Sequence, residues 1–289
     1  AMLGNVAGGT GETGPFLTLE QVLIARAVVA RRRTTVLSVY NLIGYAAAAL
    51  GAASIGAVPG HRTLFLIFLA GAAVQCLAYA RLPRRTLPAG PAPAGRRLPS
   101  APLIRRLAAL FALDSFAGGF VLQALVAYYL HARYGLGLEA VGAIFAVTQV
   151  LTAISLLLAA RAAARFGLLA TMVVSHLVSN VVLIAIAAAP SAAIAVGLLF
   201  ARHLLSQMDV PTRQAYVMAI VEDREREAAA SATNLARTVA QAVTPALTGW
   251  VMQAVALAAP FVLGGGLKIV YDLLLWWTFR DVKLNDPEG

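Results

Sequence analysis

The chain has 289 residues, 60% hydrophobic and only 12% charged, about half the charged share of an ordinary soluble domain. So few charges cannot clothe a soluble globule, and no alternating strands with aromatic girdles are present, so the composition excludes a water-soluble enzyme and a membrane barrel and leaves an all-α, polytopic membrane helix bundle. The balance of 23 Lys+Arg against 13 Asp+Glu, net +10, would suggest nucleic acid in a soluble protein; here its placement along the chain decides what it means.

A membrane span needs about 20 apolar residues. Nine such stretches follow one another: 3–25, 35–57, 63–81, 106–131, 138–160, 168–189, 192–221, 229–253 and 259–279. The first carries Glu12, Glu20 and Gln21. Its Gly9 to Gly14 run fits G-x-G-x-x-G, but no strand precedes it; a dinucleotide fingerprint needs one, so the glycines read as close helix contacts. Between the third and fourth stretches, residues 82–105 are rich in Pro, Gly, Ala and Arg and read as a linker.

The fourth stretch carries Asp114, Ser115, Gln123, Tyr128 and Tyr129. Asp114 reads as a helix cap or a proton carrier; Tyr128, Tyr129 and His131 read as an interfacial belt. In the sixth, His176 stands with Ser175, Ser179 and Asn180, a set suited to hydrogen bonds between helices. The seventh holds the densest polar run. At about 100° per residue, Arg202, Ser206, Asp209, Arg213 and Tyr216 share one face, and His203, Gln207 and Gln214 share the next. Charges at membrane depth are costly and face a bundle interior or water. Pro211 lets this helix bend. Asp209 and Arg213 stand four apart in the favourable order, open to two readings, a structural pair or a pathway site.

Glu222, Asp223, Glu225 and Glu227 then read as a solvated loop or helix start. The eighth stretch repeats the design with Asn234, Arg237, Gln241, Thr244 and Thr248, and a second kink at Pro245. The ninth holds Lys268 and Asp272, four apart, which read as a structural pair. Of the basic residues, 17 fall in one alternating set of connections, only Arg62 and Arg133 in the other, and four within spans. This asymmetry puts the C-terminus in the cytoplasm and Ala1 outside, and removes nucleic acid as a partner. The single Cys76 and four histidines without ligand spacing offer no metal centre, and no cofactor is expected. No H-E-x-x-H, G-x-S-x-G or P-loop pattern occurs, so the chain does not read as an enzyme.

Several stretches carry a wider likeness: "GPFLTLEQVLIA", "ARRRTT", "VYNLIGYAAAALGA", the basic linker, "MDVPTRQAYVMAIVEDREREAAASATNLART" and "PFVLGGGLKIVYDLLL". With these the chain resembles the major facilitator superfamily, and looks most like its bacterial multidrug-exporter-like members. The resemblance implies a fragment matching the last nine of twelve spans, with the first three missing. Residues 1–81 would be a three-span remnant of the N-terminal half, 82–105 a cytoplasmic linker, 106–280 the six-span C-terminal half and 281–289 a cytoplasmic tail. It departs from the family at "AARFG", with Ala164 where an acid would sit, and at "GYAAAALGA", which lacks the Gly-Pro of the antiporter signature.

The function so implied is secondary active transport of a small molecule by alternating access, as proton-coupled efflux, by a monomer in the plasma (inner) membrane. Import, lipid flipping and a non-transporting scaffold or sensor are the alternatives. The 289 residues alone are expected not to transport. The residues expected along a substrate or proton pathway are Asp209, Arg213, Arg202, Gln207, Arg237, Gln241, Asp114 and Glu20. The cavity candidates in the last six spans nearly balance in charge: Arg202, Arg213, Arg237 and Lys268 against Asp114, Asp209 and Asp272. That balance selects no substrate charge.

Overall fold

The computed structural model describes residues 15–54, 61–81, 99–282 and 284. The Gly9 to Gly14 run, Glu12 and most of the linker lie outside them. Among the described residues every regular element is helical. In chain order these are α1 (Pro15–Ala27), α2 (Ala30–Ser54), α3 (His61–Ala80), α4 (Ala101–Gly118), α5 (Gln123–Tyr134), α6 (Leu138–Phe166), α7 (Leu168–Ala187), α8 (Ala192–Ser206), α9 (Asp209–Ile220), α10 (Arg226–Ala254) and α11 (Ala259–Phe279). Short 3-10 turns at Gly119–Val121 and Asp223–Glu225 join α4 to α5 and lead into α10.

Each of the nine expected stretches overlaps a helix or a pair of helices. Among the described residues, five stretches are long and apolar enough to cross a membrane: Ala101–Tyr134, Glu139–Phe166, Leu168–Ala187, Ala192–Ile220 and Ala259–Phe279. The helix α10 is not among them, because its inner stripe is polar. Its outer stripe is not: Leu235, Val239, Val243, Leu247 and Trp250 recur at helical spacing and are exposed. In water such a stripe would be a liability; against lipid it is the expected surface.

Two expected spans are interrupted. The seventh breaks between α8 and α9, just before Pro211. Proline has no N–H to give the carbonyl four residues back, and its ring crowds that carbonyl. The Gln207 carbonyl accepts instead from Val210 N at 3.4 Å, and Met208 N turns to Leu205 O at 3.3 Å. Pro211 thus sits in the first turn of α9, where its missing donor costs least. The fourth span begins earlier than expected, at Ala101, and is broken after Gly118.

Close contacts fix the helix positions. The Gly119 segment presses on α10: a Cβ there would lie 2.4 Å from Thr244 Cβ, and Thr248 Oγ1 donates to Gly119 O at 3.3 Å. In α11, a Cβ on Gly264 would lie 3.1 Å from Ala117 O, and one on Gly265 2.6 Å from Ile184 Cγ1. The glycine pair therefore wedges α11 between α4 and α7 and sets Lys268 and Asp272 within reach of both.

Apolar packing falls into two clusters. One gathers Phe111, Met172, Tyr216, Tyr271, Leu275 and Phe279. The other gathers Tyr129, Leu130, Leu183, Ile186, Leu199 and Phe261. Along each of these helices the charged residues fall between the two: Asp114 after Phe111, His176 between Met172 and Leu183, Arg202 to Arg213 between Leu199 and Tyr216, and Lys268 between Phe261 and Tyr271. Order along the chain thus places the charges at mid-depth.

Candidate functional site

A cavity of about 200 Å³ opens at that level. Asp114, Ser115 and Gly118 line it from α4, Arg202 and Ser206 from α8, and Asp209 and Arg213 from α9. Gln207 lines it from the break, Arg237 and Gln241 from α10, Lys268 from α11, His176 from α7 and Tyr45 from α2. Seven of the eight residues expected along a pathway therefore meet in one place. Glu20 does not: it lies on α1, where Tyr40 of α2 donates to it.

The charges form a chain. Arg213 donates to Asp209 at 2.5 Å and reaches Asp114 at 3.5 Å, with its guanidinium 5.6 Å over the Phe111 ring. Lys268 Nζ donates to Asp114 at 2.5 Å and lies 3.4 Å from His176 Nε2. His176 Nδ1 then stands 2.8 Å from Asp272, whose other oxygen accepts from Asn180 at 2.9 Å. If Nδ1 holds the imidazole proton and donates it to Asp272, Nε2 is free to accept from Lys268. Asp114, at the centre, faces three basic groups.

Several expectations change. Lys268 and Asp272 are not each other's partners. Although four apart on one helix, each turns to a different neighbour, Lys268 to α4 and Asp272 to α7, because the glycines bring both helices close. Asp114 is not a helix cap; it joins α9 to α11 through Arg213 and Lys268. Tyr128 is exposed as a belt residue should be, but Tyr129 is fully buried and donates to Ile186 O at 3.3 Å. Glu225 is not solvated: it is buried and accepts from Ser100 N at 3.0 Å and Ser100 Oγ at 2.6 Å, holding the entry to α4. In sequence, His176 and Lys268 read as helix-packing residues, yet both line the cavity. Their position midway along apolar helices was the available signal.

Polar bonds join α1 and α2 to the later helices. Asn41 donates to Gln214 at 2.9 Å and Tyr45 to Gln207 at 3.3 Å. Asn234 donates to Thr18 at 3.0 Å, and Arg26 pairs with Asp223 at 3.4 Å.

Residues 107–288 match the sequence family described as Major Facilitator Superfamily. Over 332 aligned positions the chain is 24% identical to uncharacterized membrane protein YJR124C of Saccharomyces cerevisiae, covering 98% of this chain and 73% of that one. Among solved structures it is similar to a bacterial homologue of the iron transporter ferroportin in an outward-facing state, with a TM-score of 0.69 and 14% identity. That match covers 88% of this chain and 66% of the other, so the chain spans just under two thirds of the solved protein's length.

Proposed function

This chain belongs to the major facilitator superfamily, and from that premise we propose that it moves a small molecule across the plasma membrane by alternating access, as proton-coupled efflux with its C-terminus in the cytoplasm. The observation that carries this reading is the charged cavity lying between two apolar clusters. Charges at bilayer depth are expensive and mark pathways, and a wet site at mid-depth is what alternating access requires.

The rocking parts are α1–α3 against α4–α11. Named polar contacts between them are a few hydrogen bonds and the half-exposed Arg26–Asp223 pair. An exposed ion pair contributes little, about 0–1 kcal/mol, so the Arg26–Asp223 pair can break as the two parts move. Proton coupling has its candidates in Asp114, Asp209 and His176. A proton on Asp114 would cancel the charge that holds Lys268 and so free that cation, while Arg213 would keep Asp209.

The test uses the intact protein with Cys76→Ala and a single cysteine at Gln207. Alternating access predicts that a membrane-impermeant maleimide reaches this cysteine from either face of the membrane. Labelling from one face only, under every gradient applied, would refute the proposal.

A further inference from the structure

Resting on that transport reading, we infer that the cavity receives a small oxyanion, a carboxylate or phosphate group, and that Arg202 is the cation that meets it. The charge balance seen along the sequence does not survive folding. Asp272 is fully buried, turned away to His176 and Asn180, and does not line the cavity. Two lining acids remain, Asp114 and Asp209, and they are taken by Lys268 and Arg213.

Arg202 is left over. Among the described residues it forms no ion pair, and its buried Nε has no hydrogen-bond partner. Arg237 also faces the cavity, but Arg202 alone suffices as an anion's partner. A guanidinium is weakly hydrated, always charged and shaped to hold carboxylate or phosphate oxygens in pairs. Neutral donors line the same cavity. The hydroxyls of Ser115 and Ser206 are buried without partners, and both residues line the cavity. An incoming oxyanion would accept from the Arg202 guanidinium, a donor that an apolar or cationic ligand leaves unmatched, and the serine hydroxyls can add further donors to it.

Size narrows the class. At about 200 Å³ the cavity is below the roughly 300–1,000 Å³ of drug-sized sites. It has room for about seven waters at about 30 Å³ each. A bare divalent cation fits the charge badly, and among the described residues no group of three or more His, Cys, Asp or Glu could hold a metal. Iron, the cargo named for ferroportin, therefore does not carry over to this cavity.

The experiment measures binding to the purified intact protein with succinate, benzoate and inorganic phosphate as anionic probes, and tetraethylammonium and Mn²⁺ as cationic ones. At least one anion should bind, and neither cation. Arg202→Gln should weaken that binding tenfold or more, Arg202→Lys less, and the exposed Arg224→Gln not at all. Because Arg202 lacks a carboxylate partner, Arg202→Gln should leave the melting temperature of the unliganded protein equal or higher, which loss of a structural arginine would not do. Ser206→Ala, a smaller change, should weaken anion binding severalfold with the fold kept. Binding of either cation, binding of no anion, a fall in unliganded melting temperature in Arg202→Gln, or anion binding indifferent to Arg202 and Ser206 each overturns the inference. If the cysteine at Gln207 is reached from both faces but only cations bind, transport stands and the anion falls. If an anion binds and the cysteine stays one-sided, the reverse holds.

Discussion

Asp114→Asn should destabilise the protein more than Asp209→Asn, because the two carboxylates hold their cations differently. Lys268 has one carboxylate partner among the described residues, Asp114 at 2.5 Å. Arg213 has two, Asp209 at 2.5 Å and Asp114 at 3.5 Å. At an effective dielectric of about 20 these separations correspond to gross attractions of about 7 and about 5 kcal/mol, most of it offset by desolvation. Asp114→Asn strands Lys268 and should cost about 3–5 kcal/mol, the range for breaking a buried pair. Asp209→Asn leaves Arg213 with Asp114 and should cost about 1.5–3 kcal/mol, a charged hydrogen bond. At about 2–4 °C per kcal/mol, Asp114→Asn should lower the melting temperature roughly twice as far. Monodisperse protein remaining after heating, read by size-exclusion chromatography, is the assay. The double change Asp114→Asn with Lys268→Met should recover most of the stability, since it removes the stranded charge, while proton-coupled transport stays lost. A larger loss from Asp209→Asn, or no recovery in the double variant, would refute the reasoning.

Gly265→Ala and Gly119→Ala should each cost about 1–3 kcal/mol by overpacking, because the new Cβ would sit 2.6 Å from Ile184 Cγ1 or 2.4 Å from Thr244 Cβ; Gly266→Ala, with nothing within 4 Å, should be neutral or stabilising in the same melting assay. Glu225→Gln should lower stability by about 0.5–2 kcal/mol, the size of a lost helix cap, again read by melting. In a Cys76→Ala background, single cysteines at Arg31 and Arg224 should react with impermeant reagent from one face of the membrane, and one at Arg133 from the other; labelling of Arg133 and Arg224 from the same face would overturn the assigned topology.

What the sequence made legible follows from where each interaction is encoded. Arg202, Ser206, Asp209 and Arg213 recur at helical spacing, so their common face could be read before any neighbour was known. The Asp209–Arg213 bond lies within one turn and was equally visible. Lys268 and Asp272 show the limit of this logic: the same spacing suggested a pair, yet both found better partners on other helices. The partners of Asp114, His176 and Asp272 lie about 90 to 150 residues away in the chain, and no local pattern reports them. Glu225 was misplaced for the same reason, since Ser100, which it holds, lies on the far side of six helices, α4 to α9, in sequence.

The helix-interior glycines bear on the choice between a transporter and an inert scaffold. Gly264 and Gly265 each cost α11 about 1 kcal/mol against alanine in helix propensity, and what they secure is the approach that sets Lys268 on Asp114. A buried ion pair is itself weak support for stability: replacing one with well-packed apolar residues is often neutral or stabilising by about 1–4 kcal/mol. A bundle needed only to hold its shape would gain from apolar residues at both positions. Arg202 sharpens the point, because a cation without a carboxylate partner at this depth adds a penalty with no structural return. The arrangement makes physical sense where some of those charges change partner, to a proton on Asp114 and to a ligand at Arg202, as the two ends of the cavity open in turn.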